Sequence, residues 1–160
     1  MSLSTPPGQT VSIQHTGTDH WYKKYVGFPY LHLGTVPETG IDCFNLCRHV
    51  YKEELDIDIP YTTSDFCNIV DEDWYSKTSE QWFHRGGTAE YGWKTVSKPD
   101  KFVIIFMSIG STNVTNHCSL YLGEEKMLQT MTDHKSWIAP YGRWYKQYTT
   151  GIIRWIGLPN

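Results

Sequence analysis

One segment of this 160-residue chain carries an unbroken helical period. From Cys43 to Leu55 the apolar positions Leu46, Cys47, Val50, Tyr51 and Leu55 recur at three- and four-residue intervals. Asp42 stands where an N-cap belongs. The texture changes further along. Phe102–Ser108, Cys118–Leu122, Lys126–Thr130 and Ile152–Ile156 are short runs rich in β-branched and aromatic residues, with a tight turn at Gly123-Glu124-Glu125. A helical first half followed by a stranded second half predicts an α+β fold, with an N-terminal helix packed on an antiparallel meander.

The remaining segments are less regular. Residues 1–17 are rich in Thr, Ser, Gly and Pro and read as a flexible N-terminal arm, with a single domain over 18–160. Asp19 is placed to cap a short helix through Trp21, Tyr22 and Tyr25 that ends at Gly27. Tyr30–Thr39 reads as a loop punctuated by Gly34 and Pro37. In the middle of the chain, Ser79–Phe83 suggests a helical turn and Arg85-Gly86-Gly87 a break. Asp71-Glu72-Asp73 reads as a solvated turn, with Trp74 and Trp82 as candidates for substrate contact. Trp93–Val96 suggests a strand and Pro99-Asp100 a turn. The series Trp137, Tyr141, Trp144, Tyr145 and Tyr148 has helical spacing and reads as core or partner surface.

Composition narrows the function. The net charge of −3 leaves no basic footprint for nucleic acid. No apolar run approaches the length of a membrane span. Met1–Gly8 has neither a basic nor an apolar region of the secretory type, so no signal peptide is expected in this sequence. The 7 Trp and 11 Tyr, against 6 Phe, bring polar handles suited to grooves that bind polar ligands.

The chemistry begins at Cys43. A thiol at a helix N-terminus faces unpaired backbone N–H groups and the positive end of the helix dipole, both of which favour the thiolate. A thiolate nucleophile needs an imidazole, and the imidazole needs an orienting partner. His117 opens a predicted strand, where it can project into a cleft. Gln129, on the adjoining strand, shares its parity and comes close to it across the Gly123 turn, so its carbonyl can accept the ring N–H. His134, in a polar loop, competes for that role. His20, His32 and His49 read as surface or capping residues, and His32 also lies near enough to Tyr30 to line a cleft. A zinc site from Cys43, Cys47, Cys118 and His117 would lack the paired-ligand spacing of structural zinc, so no metal or other cofactor is expected. A Cys43–Cys47 disulfide has poor geometry within one helix.

Four stretches carry a family resemblance. Gly40-Ile41-Asp42-Cys43-Phe44-Asn45-Leu46, continuing into Tyr51-Lys52-Glu53-Glu54-Leu55-Asp56-Ile57-Asp58-Ile59-Pro60, resembles the nucleophile motif of the NlpC-type cysteine peptidases. Asn116-His117-Cys118-Ser119-Leu120-Tyr121-Leu122-Gly123 is similar to that family's His-x-x-Ile-Tyr-Leu-Gly strand. Gly27-Phe28-Pro29-Tyr30 with Gly34 resembles its Gly-x-Pro-Tyr-x-x-Gly-Gly element. Pro99-Asp100 resembles its Pro-Gly-Asp turn. The resemblance runs from about Trp21 to Trp155 and is weakest over 61–95.

The resemblance implies a papain-like fold and hydrolysis of an amide in peptidoglycan stem peptides. It implies Cys43 as nucleophile, His117 as base, Gln129 at the third polar position, Tyr30 lining the site and Asp42 as the preceding acid. It is strongest to copies in tail-tip proteins of long-tailed bacteriophages. That implies a virion location, other tail proteins as partners, and action at the host envelope or in tail assembly. Two further readings share the scaffold: a structural tail component with little activity, and an acyl or amide transferase. Three positions depart from the family pattern: Asn45 stands where a small Gly is usual, Cys47 where Val or Ile is common, and Gln129 where His is usual.

Overall fold

The computed structural model describes residues 20–66, 89–110 and 114–159. The predicted N-terminal arm, the features proposed between Asp71 and Gly87, and Cys67 lie outside the described residues.

Helix α1 spans Cys43–Leu55, as its period predicts. It starts where Asp42, in extended backbone, accepts a hydrogen bond from the Asn45 N–H at 2.8 Å. It ends at Asp56, which adopts the left-handed conformation (φ 53°) and donates its N–H back to Lys52 and Tyr51 carbonyls. Leu46, Cys47, Val50 and Tyr51 are fully buried, which confirms the apolar stripe. A second helical turn, α2, follows at Thr63–Phe66.

The strands of the second half are β3 (Trp93–Thr95), β4 (Ile104–Met107), β5 (His117–Gly123), β6 (Lys126–Gln129), β7 (Trp137–Pro140) and β8 (Thr149–Trp155). They form a six-stranded sheet in the order β3-β8-β4-β5-β6-β7, with every neighbouring pair antiparallel. Strands β4, β5 and β6 follow one another as the expected meander does, but the strand beyond β6 is β7, which the sequence reading did not foresee, and not the predicted Ile152–Ile156 strand. The last strand, β8, returns to lie between β3 and β4.

Alternation along the strands sorts side chains onto two faces. Ile104, Phe106, Cys118, Leu120, Leu122, Leu128 and Ile153 pack with the buried stripe of α1. Ile105, Met107, Tyr121, Met127, Ala139 and Ile152 form a second core on the other face, with Trp137 and Tyr145 packed against it.

Three expectations are corrected. Trp21–Tyr25 is a 3-10 helix, and its cap position is held by His20 in the left-handed conformation (φ 42°) with no side-chain cap. Asp19 lies outside the described residues. The Tyr30–Thr39 loop contains strand β1 (Thr35–Val36), which pairs with β2 (Gly40–Ile41). The aromatic series after residue 136 is not one helix. Trp137 lies on β7, and only Arg143–Lys146 is helical, as α3. Pro140 and Gly142 explain this, since both interrupt a helix whatever the aromatic spacing around them.

Deleting most of the Leu46 side chain leaves a cavity between α1 and the sheet. Leu46→Ala is expected to lower the unfolding free energy by about 3 kcal/mol, read from a shift of the urea midpoint at unchanged slope.

Candidate active site

Asp42 and Cys43 are set by the chain that runs in front of α1. Ile41 donates its N–H to Pro29 O at 3.0 Å, and Asp42 donates to Gly34 O at 3.2 Å, so the Phe28–Gly34 segment is stitched alongside the start of the helix. Tyr30 bridges Ile41 in parallel fashion, which carries the tyrosine to the thiol. This crossing requires glycine. A Cβ on Gly34 would lie 2.3 Å from Gly40 O, and one on Gly40 would lie 2.3 Å from Leu31 Cβ, with Gly40 also at φ 151°.

Asn45 accounts for the departure from a small residue at this point. It is buried, donates through Nδ2 to Gly34 O at 2.9 Å, and accepts from Thr63 N–H at 3.4 Å. It therefore ties the first turn of α1 to the loop before it and to α2. Burial raises the Asp42 carboxyl to about 8, and the negative charge of Cys43 pushes in the same direction. Backbone donors from Asn45 and Leu33 oppose them.

His117 opens β5, and its position is fixed by Asn116. The Asn116 side chain accepts from Ile109 N–H and donates to Ile109 O, both at 2.9 Å, and its own N–H bonds to Met107 O at 3.0 Å. The β5–β6 register pairs Leu120 with Leu128 and Tyr121 with Met127. Continued toward residue 117, it sets Gln129 diagonally across from His117 on the same face. His117 Nε2 and Gln129 Oε1 are 2.8 Å apart, and both residues are buried. His134 does not compete: its ring lies 3.0 Å from Thr132 O, is exposed, and packs beside Trp137.

Cys118 is next to His117 in sequence but belongs to the α1 face, where it meets Cys43. Its thiol hydrogen-bonds to Cys43 and is the strongest influence holding the Cys43 thiol well below its ordinary range. Burial works against this, and the hydrogen bond and charge of His117 add to the lowering. Cys118 itself is pushed well above the usual thiol range by burial and by its contacts with Cys43 and Cys47, so it remains an S–H donor. Cys47 hydrogen-bonds to Cys43 O at 3.4 Å, as a small core residue. Cys43, Cys47 and Cys118 are all free thiols. Among the described residues, no group of three or more His, Cys, Asp or Glu side chains could hold a metal ion.

A cavity of about 220 Å³ opens at this junction, lined by Tyr30, Cys43, Ile109, Asn116, His117, Thr130, Met131 and Thr132. The structure thus brings Cys43, His117, Gln129 and Tyr30 together, with Asp42 buried beneath the helix start. His32 lies in the turn after Tyr30 and is not among the residues that line the cavity.

Sequence reasoning gave no site role to Asn116 or Ser136, and weighed Cys118 only as a zinc ligand. Ser136 accepts at Oγ from Phe28 N–H at 2.9 Å and donates to Tyr25 O at 2.6 Å, riveting the Tyr30 segment to the β6–β7 connection. Only Asn116 carried a local signal, as a polar residue directly before the strand that begins with His117.

Residues 27–154 match the NlpC/P60 family. A gamma-DL-glutamyl hydrolase of Bacillus subtilis is 26% identical over 137 residues, covering 85% of this chain but 28% of that protein. Among solved structures, an NlpC/P60 family protein from Bacillus cereus aligns with a TM-score of 0.55 at 23% identity, over 84% of this chain and 37% of the other. The NlpC/p60 domain of the peptidoglycan hydrolase SagA aligns with a TM-score of 0.51 at 21% identity, over 82% of this chain and 90% of the other. The papain-like α+β arrangement is therefore the observed fold. No helix among the described residues is long and apolar enough to cross a membrane.

A thiol held below its ordinary range stays ionised at lower pH than a free cysteine, whose pKa is about 8.5. The rate of Cys43 alkylation is expected to fall only below that range as pH decreases. In Cys118→Ala, which removes the S–H donor, the inflection should move upward, while Cys118→Ser keeps a donor and should move it less. Mass-resolved iodoacetamide labelling across pH checks both.

Proposed function

Since this chain belongs to the NlpC/P60 family, we propose that it is a cysteine peptidase that hydrolyses an amide bond in peptidoglycan stem peptides. The observation that carries this reading is the meeting of a depressed-pKa thiol at a helix N-terminus with a Gln-anchored histidine at the edge of one cavity.

The chemistry follows from that geometry. Gln129 Oε1 accepts from His117 Nε2, which leaves Nδ1 to exchange a proton with Cys43. The Cys43 thiolate attacks the amide carbonyl. Cys43 is the first helical residue, so its N–H has no partner within α1 and is free to donate to the oxyanion. The protonated His117 delivers its proton to the departing amine, leaving a thioester on Cys43. His117 then takes a proton from water, which attacks the thioester and releases the carboxylate product.

The gamma-DL-glutamyl hydrolase relative supports a glutamyl amide as the class of bond cut. The Asp42-Cys43 block and its continuation through Glu53-Glu54-Leu55 support a role at the tip of a bacteriophage tail, acting at the host envelope beside other tail proteins.

Purified cell wall incubated with the protein should release stem-peptide fragments, and mass spectrometry of the new termini identifies the bond. Cys43→Ala and His117→Ala should each reduce release by at least about a thousandfold. Intact wall after prolonged incubation with the unmodified protein overturns the hydrolase reading. Undiminished release by Cys43→Ala overturns the mechanism.

A further inference from the structure

The amide of Gln129 has two ends, and the histidine uses only one. Its Nε2 donates to the hydroxyl of Tyr145 at 3.0 Å, while its Oε1 meets His117 Nε2 at 2.8 Å. The side chain is 1% exposed, so its amide must satisfy its hydrogen bonds largely within the protein. From this geometry we infer that Tyr145 is a positioning residue for the Cys43–His117 pair, acting through Gln129. The inference rests on the reading of Cys43 and His117 as the reactive pair.

Which end of the amide faces the ring decides the role of Tyr145. When His117 carries the proton taken from Cys43, both of its ring nitrogens are donors, and only the carbonyl end of Gln129 can answer. The NH2 end must then donate elsewhere. Tyr145 OH is the acceptor that the structure provides. Without it, holding the carbonyl toward the imidazolium leaves a buried NH2 group unsatisfied. The amide would then be driven to turn, and the imidazolium would lose its acceptor.

The residue that carries this hydroxyl is anchored through its backbone and its ring. Tyr145 lies on α3, and its carbonyl accepts from Tyr148 N–H at 3.1 Å and from Thr149 Oγ1 at 3.3 Å. Thr149 Oγ1 is in turn 2.6 Å from Tyr141 OH. The Trp144 ring packs edge-on against the Tyr145 ring at 4.7 Å, and Lys146 pairs with Glu125 at 2.9 Å. The line Tyr145–Gln129–His117–Cys43 therefore links α3, β6, β5 and α1. The aromatic run after residue 136 supplies more than packing.

Tyr145→Phe keeps the ring and removes the acceptor. Iodoacetamide alkylation of Cys43 tests the idea without requiring any wall substrate. Its outcome is therefore independent of whether the protein hydrolyses peptidoglycan. Tyr145→Phe should slow labelling at neutral pH by about threefold to tenfold and move the pH inflection upward, because the thiolate–imidazolium pair is less well supported. Gln129→Met, a near-isostere with neither amide end, should show a similar loss. Adding Tyr145→Phe in the Gln129→Met background should change the rate by less than about twofold, because Tyr145 has no amide left to hold. An unchanged pH profile in Tyr145→Phe overturns the proposal. So does an undiminished further loss in the Gln129→Met background, which would mark Tyr145 as a packing residue only.

Discussion

The first turn of α1, clamped against β5, is the constraint on which the remaining site depends. Asp42 caps it, Asn45 ties it to Gly34 and Thr63, and Cys43 meets Cys118 across the interface. The same junction closes the core, since Leu46, Cys47 and Val50 bury their side chains one turn further along. Folding α1 onto the sheet therefore also delivers the thiol to the histidine. The stability of the interface and the reactivity of the site share one set of contacts.

The two faces of the sheet divide the work. Cys118 faces the helix and holds the Cys43 thiol by hydrogen bonding. His117 and Gln129 belong to the opposite face, where Tyr145 meets them. Because His117 is the first residue of β5, its ring can serve the helix layer from the end of the strand while the rest of that face stays packed. A neutral Gln gives the imidazole orientation without a counter-charge. Support for a thiolate accordingly comes mainly from the surroundings of Cys43, where the Cys118 S–H and the helix N-terminus act together.

Much of this arrangement was legible in the sequence, and the reasons are local. Asp42, the apolar period from Leu46 to Leu55, and the alternation through β5 and β6 each encode their own geometry, so α1 and the His117–Gln129 diagonal could be read directly. The misreadings have a common cause. Trp137 and Tyr141 match a helical spacing, but Pro140 and sheet pairing decide their backbone. His20 adopts a left-handed cap that no sequence rule singles out. The roles of Ser136, Asn45 and Tyr145 depend on partners 11 to 111 residues away, on other elements, which no local pattern of sequence encodes. His32 sits close to Tyr30 in sequence, yet a turn takes it away from the cavity lining.

If Cys43 is the proposed nucleophile, a wall peptide acylates it at this junction. The most direct measurement is acid-quenched intact-mass analysis of the protein mixed with purified stem peptides, followed by peptide mapping. A transient mass increase equal to the acyl portion of the cleaved peptide is expected, located on Cys43 and absent from Cys43→Ala. Release of peptide fragments with no adduct on Cys43 at any quench time, or with the adduct on another residue, would contradict it.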